Sequence, residues 1–130
     1  GKTVVCDRYF DATSVYQGFA RGLSVELIGQ LHQILFDDLK PDVTLLLDLP
    51  PQVGLERAWQ QLNNGQRSGD ESRFEAEALA FHKKVRTGYL ELARLEPDRF
   101  RIVNAAQSPD EVFAAIRAIV SSVLKNNSKE

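Results

Sequence analysis

Val4-Val5-Cys6-Asp7-Arg8-Tyr9 runs from a β-branched pair straight into a carboxylate and a guanidinium. Read as a strand from Thr3 to Cys6, it delivers both charged groups at its carboxyl end, the edge at which open α/β sheets bind ligands. Two further runs share its apolar character, Val43 to Leu47 and Phe100 to Val103, and stretches of helical period separate them. This alternation predicts an α/β domain, a parallel sheet of three strands flanked by helices. Three strands make a narrow sheet with an open edge, so further strands are expected from chain that precedes Gly1. No Met stands at position 1 or anywhere else, which fits a piece of a longer polypeptide.

The helices have readable ends. Ser24 is an N-cap candidate for a helix whose apolar positions Leu27, Ile28, Leu31, Ile34 and Leu35 recur until Lys40-Pro41-Asp42. Pro50-Pro51 opens a short helix through Val53, Leu55 and Trp59. Residues 60 to 72 are almost devoid of apolar side chains and carry two glycines, which reads as a mobile loop. A long helix follows from Arg73 through Phe74, Ala78, Phe81, Val85 and Leu92 to Glu96-Pro97. The last begins at Ser108-Pro109-Asp110-Glu111, a capping box, and its expected buried stripe is Val112, Phe113, Ile116, Ile119, Val120 and Val123. The tail from Lys125 is polar and expected to fray.

Composition narrows the function. At 130 residues, 43% hydrophobic and 26% charged, the chain reads as one globular domain without repeats. A net charge of −2 supplies no general attraction to nucleic acid or to an anionic membrane, and no apolar run is long enough to span a bilayer. The single cysteine, Cys6, and two histidines, His32 and His82, make no zinc ligand set. A reducing, cytoplasmic location is expected. Cys6 is expected to be buried strand filler, and His32, His82 and Trp59 to be packing or surface residues.

Gly1-Lys2-Thr3 matches the end of the phosphate-cradling G-x-x-x-x-G-K-[ST] loop, but in that loop a helix opens at the Lys, whereas here a strand pattern continues. Asp7-Arg8 is the stronger signal. An Asp at a strand end suits magnesium, which keeps several waters and needs few carboxylates, and Arg offers a planar fork for phosphate oxygens. The alternative is an Asp-Arg pair that caps the next helix. Thr13, Tyr16 and Gln17 follow at i, i+3 and i+4, one helical face carrying a hydroxyl, a ring and an amide that could read a sugar and a base. Such a face can also be merely solvated.

Asp7-Arg8-Tyr9 with Thr13 and Tyr16-Gln17-Gly18-Phe19-Ala20-Arg21-Gly22 resembles the bacterial thymidylate kinase family. Lys40-Pro41-Asp42-Val43-Thr44-Leu45-Leu46-Leu47-Asp48-Leu49, Val53-Gly54-Leu55-Glu56-Arg57-Ala58, Arg73-Phe74-Glu75 and Tyr89-Leu90-Glu91-Leu92-Ala93 extend the resemblance in order over nearly the whole chain. It implies a P-loop kinase fold, transfer of the ATP γ-phosphate to dTMP giving dTDP, magnesium with the ATP, and a homodimer. It further implies that Arg8 holds the acceptor phosphate, that Asp7 sits near magnesium through water, and that Thr13, Tyr16 and Gln17 line the nucleoside pocket, with Tyr16 favouring a deoxyribose.

The stretch at about 60–73 then resembles a lid that brings in a catalytic arginine, for which Arg67 is the candidate; Arg73 would face the adenine, whose surroundings would include Asn104 and Ala105. Ser72 stands where the family commonly has Asp, and Asn63-Asn64-Gly65 lengthens the lid. The resemblance places residues 1–130 in the carboxyl-terminal portion of the kinase domain, after the P-loop, so this chain alone is expected to be inactive. Asp48 runs into Leu49-Pro50-Pro51 with no basic neighbour in sequence and is expected to bond local backbone. Two other readings stand beside this one: another P-loop nucleoside or nucleotide kinase, and a non-catalytic dimerisation module that offers the apolar face of the helix from Ser24 to Leu39.

Overall fold

The computed structural model of the chain describes residues 2–63 and 71–127, and of these the side chains of 2–60 and 77–125. A short helix α1 (Phe10–Thr13) passes into a π-helical segment (Ser14–Phe19), followed by α2 (Val25–Phe36), β1 (Thr44–Asp48), α3 (Pro51–Asn63), α4 (Glu71–Leu95), β2 (Phe100–Asn104) and α5 (Pro109–Asn127). β1 and β2 pair in parallel, with Thr44 opposite Phe100 and Asp48 opposite Asn104. Parallel neighbours need a crossover, and α3 and α4 supply it.

The expected first strand is absent: residues 2–6 have no regular structure, and Val4 and Val5 are 84% and 92% exposed. An extended segment becomes a strand only through a ladder to a neighbour. Among the described residues none lies alongside, and the sheet has two strands. Cys6 is therefore exposed, its thiol donating to the Arg8 carbonyl at 3.3 Å.

Both caps read from the sequence are present. Leu27 N–H donates to Ser24 Oγ at 3.1 Å, and at α5 the Ser108 N–H donates to Glu111 Oε2 at 2.9 Å while Glu111 N–H returns to Ser108 Oγ at 3.4 Å. α2 ends earlier than its apolar pattern, because Asp37 takes the left-handed conformation at φ 51° and closes the last turn on Gln33. Most of its stripe is not covered by the described residues: Ile28 is half-buried beside Gly18, but Leu27, Leu31, Ile34, Leu35 and Phe36 are exposed. Phe113 and Val120 of α5 are exposed as well, so the buried side of that helix is narrower than its pattern. Glu71–Arg73 and Gln60–Asn63 are helical, which trims the expected loop at both ends, and 64–70 lie outside the described residues.

The core gathers where α4 crosses the π-helical segment. Val15, Ala20 and Val85 are buried there, with Tyr16, Phe81, Tyr89 and Leu92 packed against them. Gly88 permits the crossing, since a Cβ in its place would meet Phe19 Cβ at 2.9 Å and Val15 Cγ1 at 3.2 Å. His32 packs as expected: buried, its ring stacked on Phe10 at 4.0 Å and Nε2 bonded to the Leu39 carbonyl at 3.0 Å.

A charged network is as deeply placed as the core. Arg99, 7% exposed, donates from Nη1 and Nη2 to the Asp11 carboxylate at 2.7 and 2.9 Å, from Nη1 to Thr44 Oγ1 at 2.8 Å, and from Nε and Nη2 to Glu96 at 3.0 Å. Burial by itself would lower the guanidinium pKa, but the bonds to Asp11 and Glu96 outweigh it and raise the value. Removing one member strands a buried charge. Arg99→Met is expected to cost about 3 kcal/mol or more in urea unfolding, and the double variant Asp11→Leu/Arg99→Met to recover much of that loss.

Candidate functional site

Asp7 and Arg8 sit in a bend just before α1. Arg8 is held at φ 64°, a left-handed conformation that a non-glycine residue adopts at a cost of about 1 kcal/mol or more. Its guanidinium carbon lies 5.4 Å from the Tyr16 ring centroid, within cation–π range. Tyr16 is itself fixed by Phe81 at 6.0 Å and Tyr89 at 6.5 Å between ring centroids. Burial, and after it the neighbouring Tyr16, push the Tyr89 phenol above its ordinary pKa.

Arg8 and Tyr16 are thus brought together, but Thr13, Tyr16 and Gln17 do not share the single α-helical face that their spacing implies. From Ser14 the backbone is π-helical, with Ala20 N–H reaching back five residues to the Val15 carbonyl at 2.9 Å. A wider turn rotates each later side chain relative to α-helical spacing. Thr13 is exposed, while Tyr16 and Gln17 are half-buried. π-Turns of this kind recur at functional sites.

Asp7 is exposed and makes no hydrogen bond or ion pair among the described residues. No cluster of three or more His, Cys, Asp or Glu side chains exists among those residues either. A single free carboxylate fits magnesium, which takes most of its shell from water and substrate phosphates; it does not fit a metal caged by protein.

A second locus lies at the carboxyl edge of the sheet, where β1 ends at Asp48 and β2 at Asn104. Asp48 does have a basic partner, against the sequence expectation: Arg86 of α4 donates from Nε and Nη2 to its two oxygens at 2.7 and 2.9 Å. The partner is 38 residues away, so no local pattern reveals it. The Asp48 carbonyl also accepts the Ala105 N–H at 2.8 Å, and Asn104 Oδ1 accepts the Ala106 N–H at 2.9 Å. Asn104 therefore shapes the turn. Arg57 of α3 donates to the carbonyls of Ala105 and Ala106 at 3.1 and 3.3 Å, and beside it opens a recess of about 590 Å³ bounded by Ala105, Ala106, Ser108, Pro109 and Val112.

Arg57 belongs to a sequence block that the resemblance covers, but its role was not legible there. Arg73 lies in the first turn of α4 with its side chain outside the described residues, and Arg67 lies wholly outside them. Trp59 is half-buried, in keeping with packing.

A parallel strand–helix–helix–strand unit, with an Asp-Arg bend beside an aromatic cluster and an arginine-braced recess at its carboxyl edge, makes this chain part of an α/β domain. The sequence model of thymidylate kinase matches residues 1–116. The thymidylate kinase of Desulforapulum autotrophicum is 55% identical over 116 residues, covering 89% of this chain and 51% of that protein. That of Desulfosudis oleivorans is 50% identical over 123 residues, covering 95% and 58%, and that of Geotalea uraniireducens 50% over 119, covering 92% and 55%. The chain belongs to the thymidylate kinase family, so its fold is part of a P-loop kinase fold. It spans a little over half the length of these curated relatives.

The hydrogen bonds from Arg86 hold the Asp48 carboxyl below the ordinary range, against the weaker opposing effect of burial. A carboxyl with a lowered folded-state pKa adds stability that is present above its unfolded value and is lost as pH falls through the folded one. In paired urea titrations, the destabilisation caused by Arg86→Met is therefore expected to be largest near neutrality and to shrink below about pH 4.

Proposed function

We propose that these residues form the acceptor-side and lid-bearing portion of an ATP-dependent dTMP kinase, which transfers the ATP γ-phosphate to dTMP and yields dTDP for DNA precursor synthesis. The observation that carries this reading is Arg8: an exposed guanidinium, kept in a costly backbone conformation and set above Tyr16, with no carboxylate partner among the described residues. Structural arginines in this chain are spent on carboxylates or carbonyls, as Arg86, Arg99 and Arg57 are. A free fork beside an aromatic ring is suited to a nucleoside monophosphate, the guanidinium on the phosphate and the ring against the sugar. The substrate itself comes from the family, not from the geometry.

In this reading Thr13, Tyr16 and Gln17 line the nucleoside pocket, and Asp7 lies near magnesium through water. Magnesium would supply charge neutralisation on the transferring phosphates. Arg67, from the lid, adds a cation to the equatorial oxygens, and Arg73 with Asn104 and Ala105 borders the adenine. The 130 residues contain no complete G-x-x-x-x-G-K-[ST], so transfer requires a P-loop segment joined to them. The exposed apolar face of α2 supports a homodimer. No described helix is long and apolar enough to cross a membrane, and we place the enzyme in the cytoplasm.

The test is ATP- and magnesium-dependent phosphorylation of a panel of nucleoside monophosphates by the polypeptide that joins this chain to its P-loop segment, with the chain alone as control. Strong preference for dTMP and an inactive control are expected. Preference for another acceptor overturns the substrate, and no transfer at all favours an interaction module. Arg8→Ala is expected to raise the acceptor KM at least about tenfold and to lower turnover, since a charged bidentate contact is lost. Arg67→Ala is expected to depress kcat far more than acceptor affinity, as suits a group engaged mainly in the transition state; an equal loss from Arg73→Ala would move that role along the lid.

A further inference from the structure

The turn that leaves β2 is tied from three directions. From the sheet, the Asp48 carbonyl takes the Ala105 N–H at 2.8 Å, with Asp48 braced in turn by Arg86. Locally, Asn104 Oδ1 takes the Ala106 N–H at 2.9 Å. From outside, Arg57 crosses over from α3 and donates Nη1 to the Ala105 carbonyl at 3.1 Å and Nη2 to the Ala106 carbonyl at 3.3 Å. The first two ties hold N–H groups, and Arg57 alone among the described residues holds the two carbonyls. Because the guanidinium is planar and rigid, bonding successive carbonyls fixes the plane of each peptide relative to the other. Ala105 and Ala106 line the recess together with Arg57 and the apolar side chains of Pro109 and Val112.

We propose that Arg57 is a positioning residue for the nucleotide donor: it holds the Ala105–Ala106 turn in the form that receives the donor's base, and does not itself act on the phosphates. This rests on the kinase reading above, which puts the adenine at this turn. With both terminal nitrogens engaged on carbonyls, Arg57 lacks the free fork that Arg8 offers to phosphate. The site is thus divided between an arginine that is open to an anion and one that is committed to backbone.

The experiment uses the joined polypeptide, with its P-loop segment, and follows donor and acceptor constants separately. Arg57→Ala is expected to raise the KM for ATP about tenfold, the loss of two charge-assisted bonds, with kcat and the KM for dTMP changed by less than about twofold. The inhibition constant of adenosine, which carries the base and no phosphate, is expected to rise by the same factor. Arg57→Lys, which can reach one carbonyl, is expected to restore part of both.

A fall in kcat with an unaltered adenosine constant overturns the inference, since Arg57 would then act on phosphates. Val112→Trp, which fills the recess, separates the two layers of the argument. If it leaves the ATP KM unchanged, the donor does not bind here and the kinase reading fails at this site. If it raises the ATP KM while Arg57→Ala does not, only the role of Arg57 falls.

Discussion

The guanidinium of Arg99 joins parts of the chain that nothing else joins so directly. It stands one residue before β2 and bonds Asp11 of α1, Thr44 at the start of β1 and Glu96 just after α4, with the Phe100 ring 4.5 Å from its centre and the Phe10 ring at 5.8 Å. Asp11 lies three residues after Arg8. The Asp7-Arg8 bend is therefore tied to the start of both strands through a buried ion pair. Such a pair adds little net stability over an apolar replacement, while loss of either member leaves a buried charge unpaired.

From that anchor the two candidate loci diverge along α4. Val85 and Tyr89 face the π-helical segment and hold Tyr16, whereas Arg86, between them in sequence, holds Asp48 at the sheet edge. A single helix thus supports both the aromatic floor under Arg8 and the turn against which Arg57 closes. Glycine at position 88 is the condition for this, because any side chain there would push the π-helical segment away from the helix. The geometry of one helix surface sets the relation between the Arg8–Tyr16 pair and the recess beside Arg57.

Much of this was legible in residue pattern. The parallel sheet, its crossover helices and the caps at Ser24 and Ser108 follow from local rules of periodicity and capping, and those rules depend on near neighbours. Thr3 to Cys6 has a strand's composition but no strand partner among the described residues; a ladder is a property of two segments. The same holds for α2, where an apolar stripe identifies the helix but not what covers it. Asp48 was assigned to local backbone because its partner, Arg86, lies far along the chain.

By itself, the sequence determined the class of fold, the two paired strands with their crossover helices, and the family, since each rests on short-range pattern or on ordered motifs. Tertiary structure decided which arginines are free and which are committed. Sixteen basic side chains look alike in a sequence. Only folding brings Asp11 to Arg99, Asp48 to Arg86 and two carbonyls to Arg57, and leaves Arg8 open above Tyr16. An arginine's chemistry is set by its partners, and here the partners that matter lie from 38 to 88 residues away in sequence.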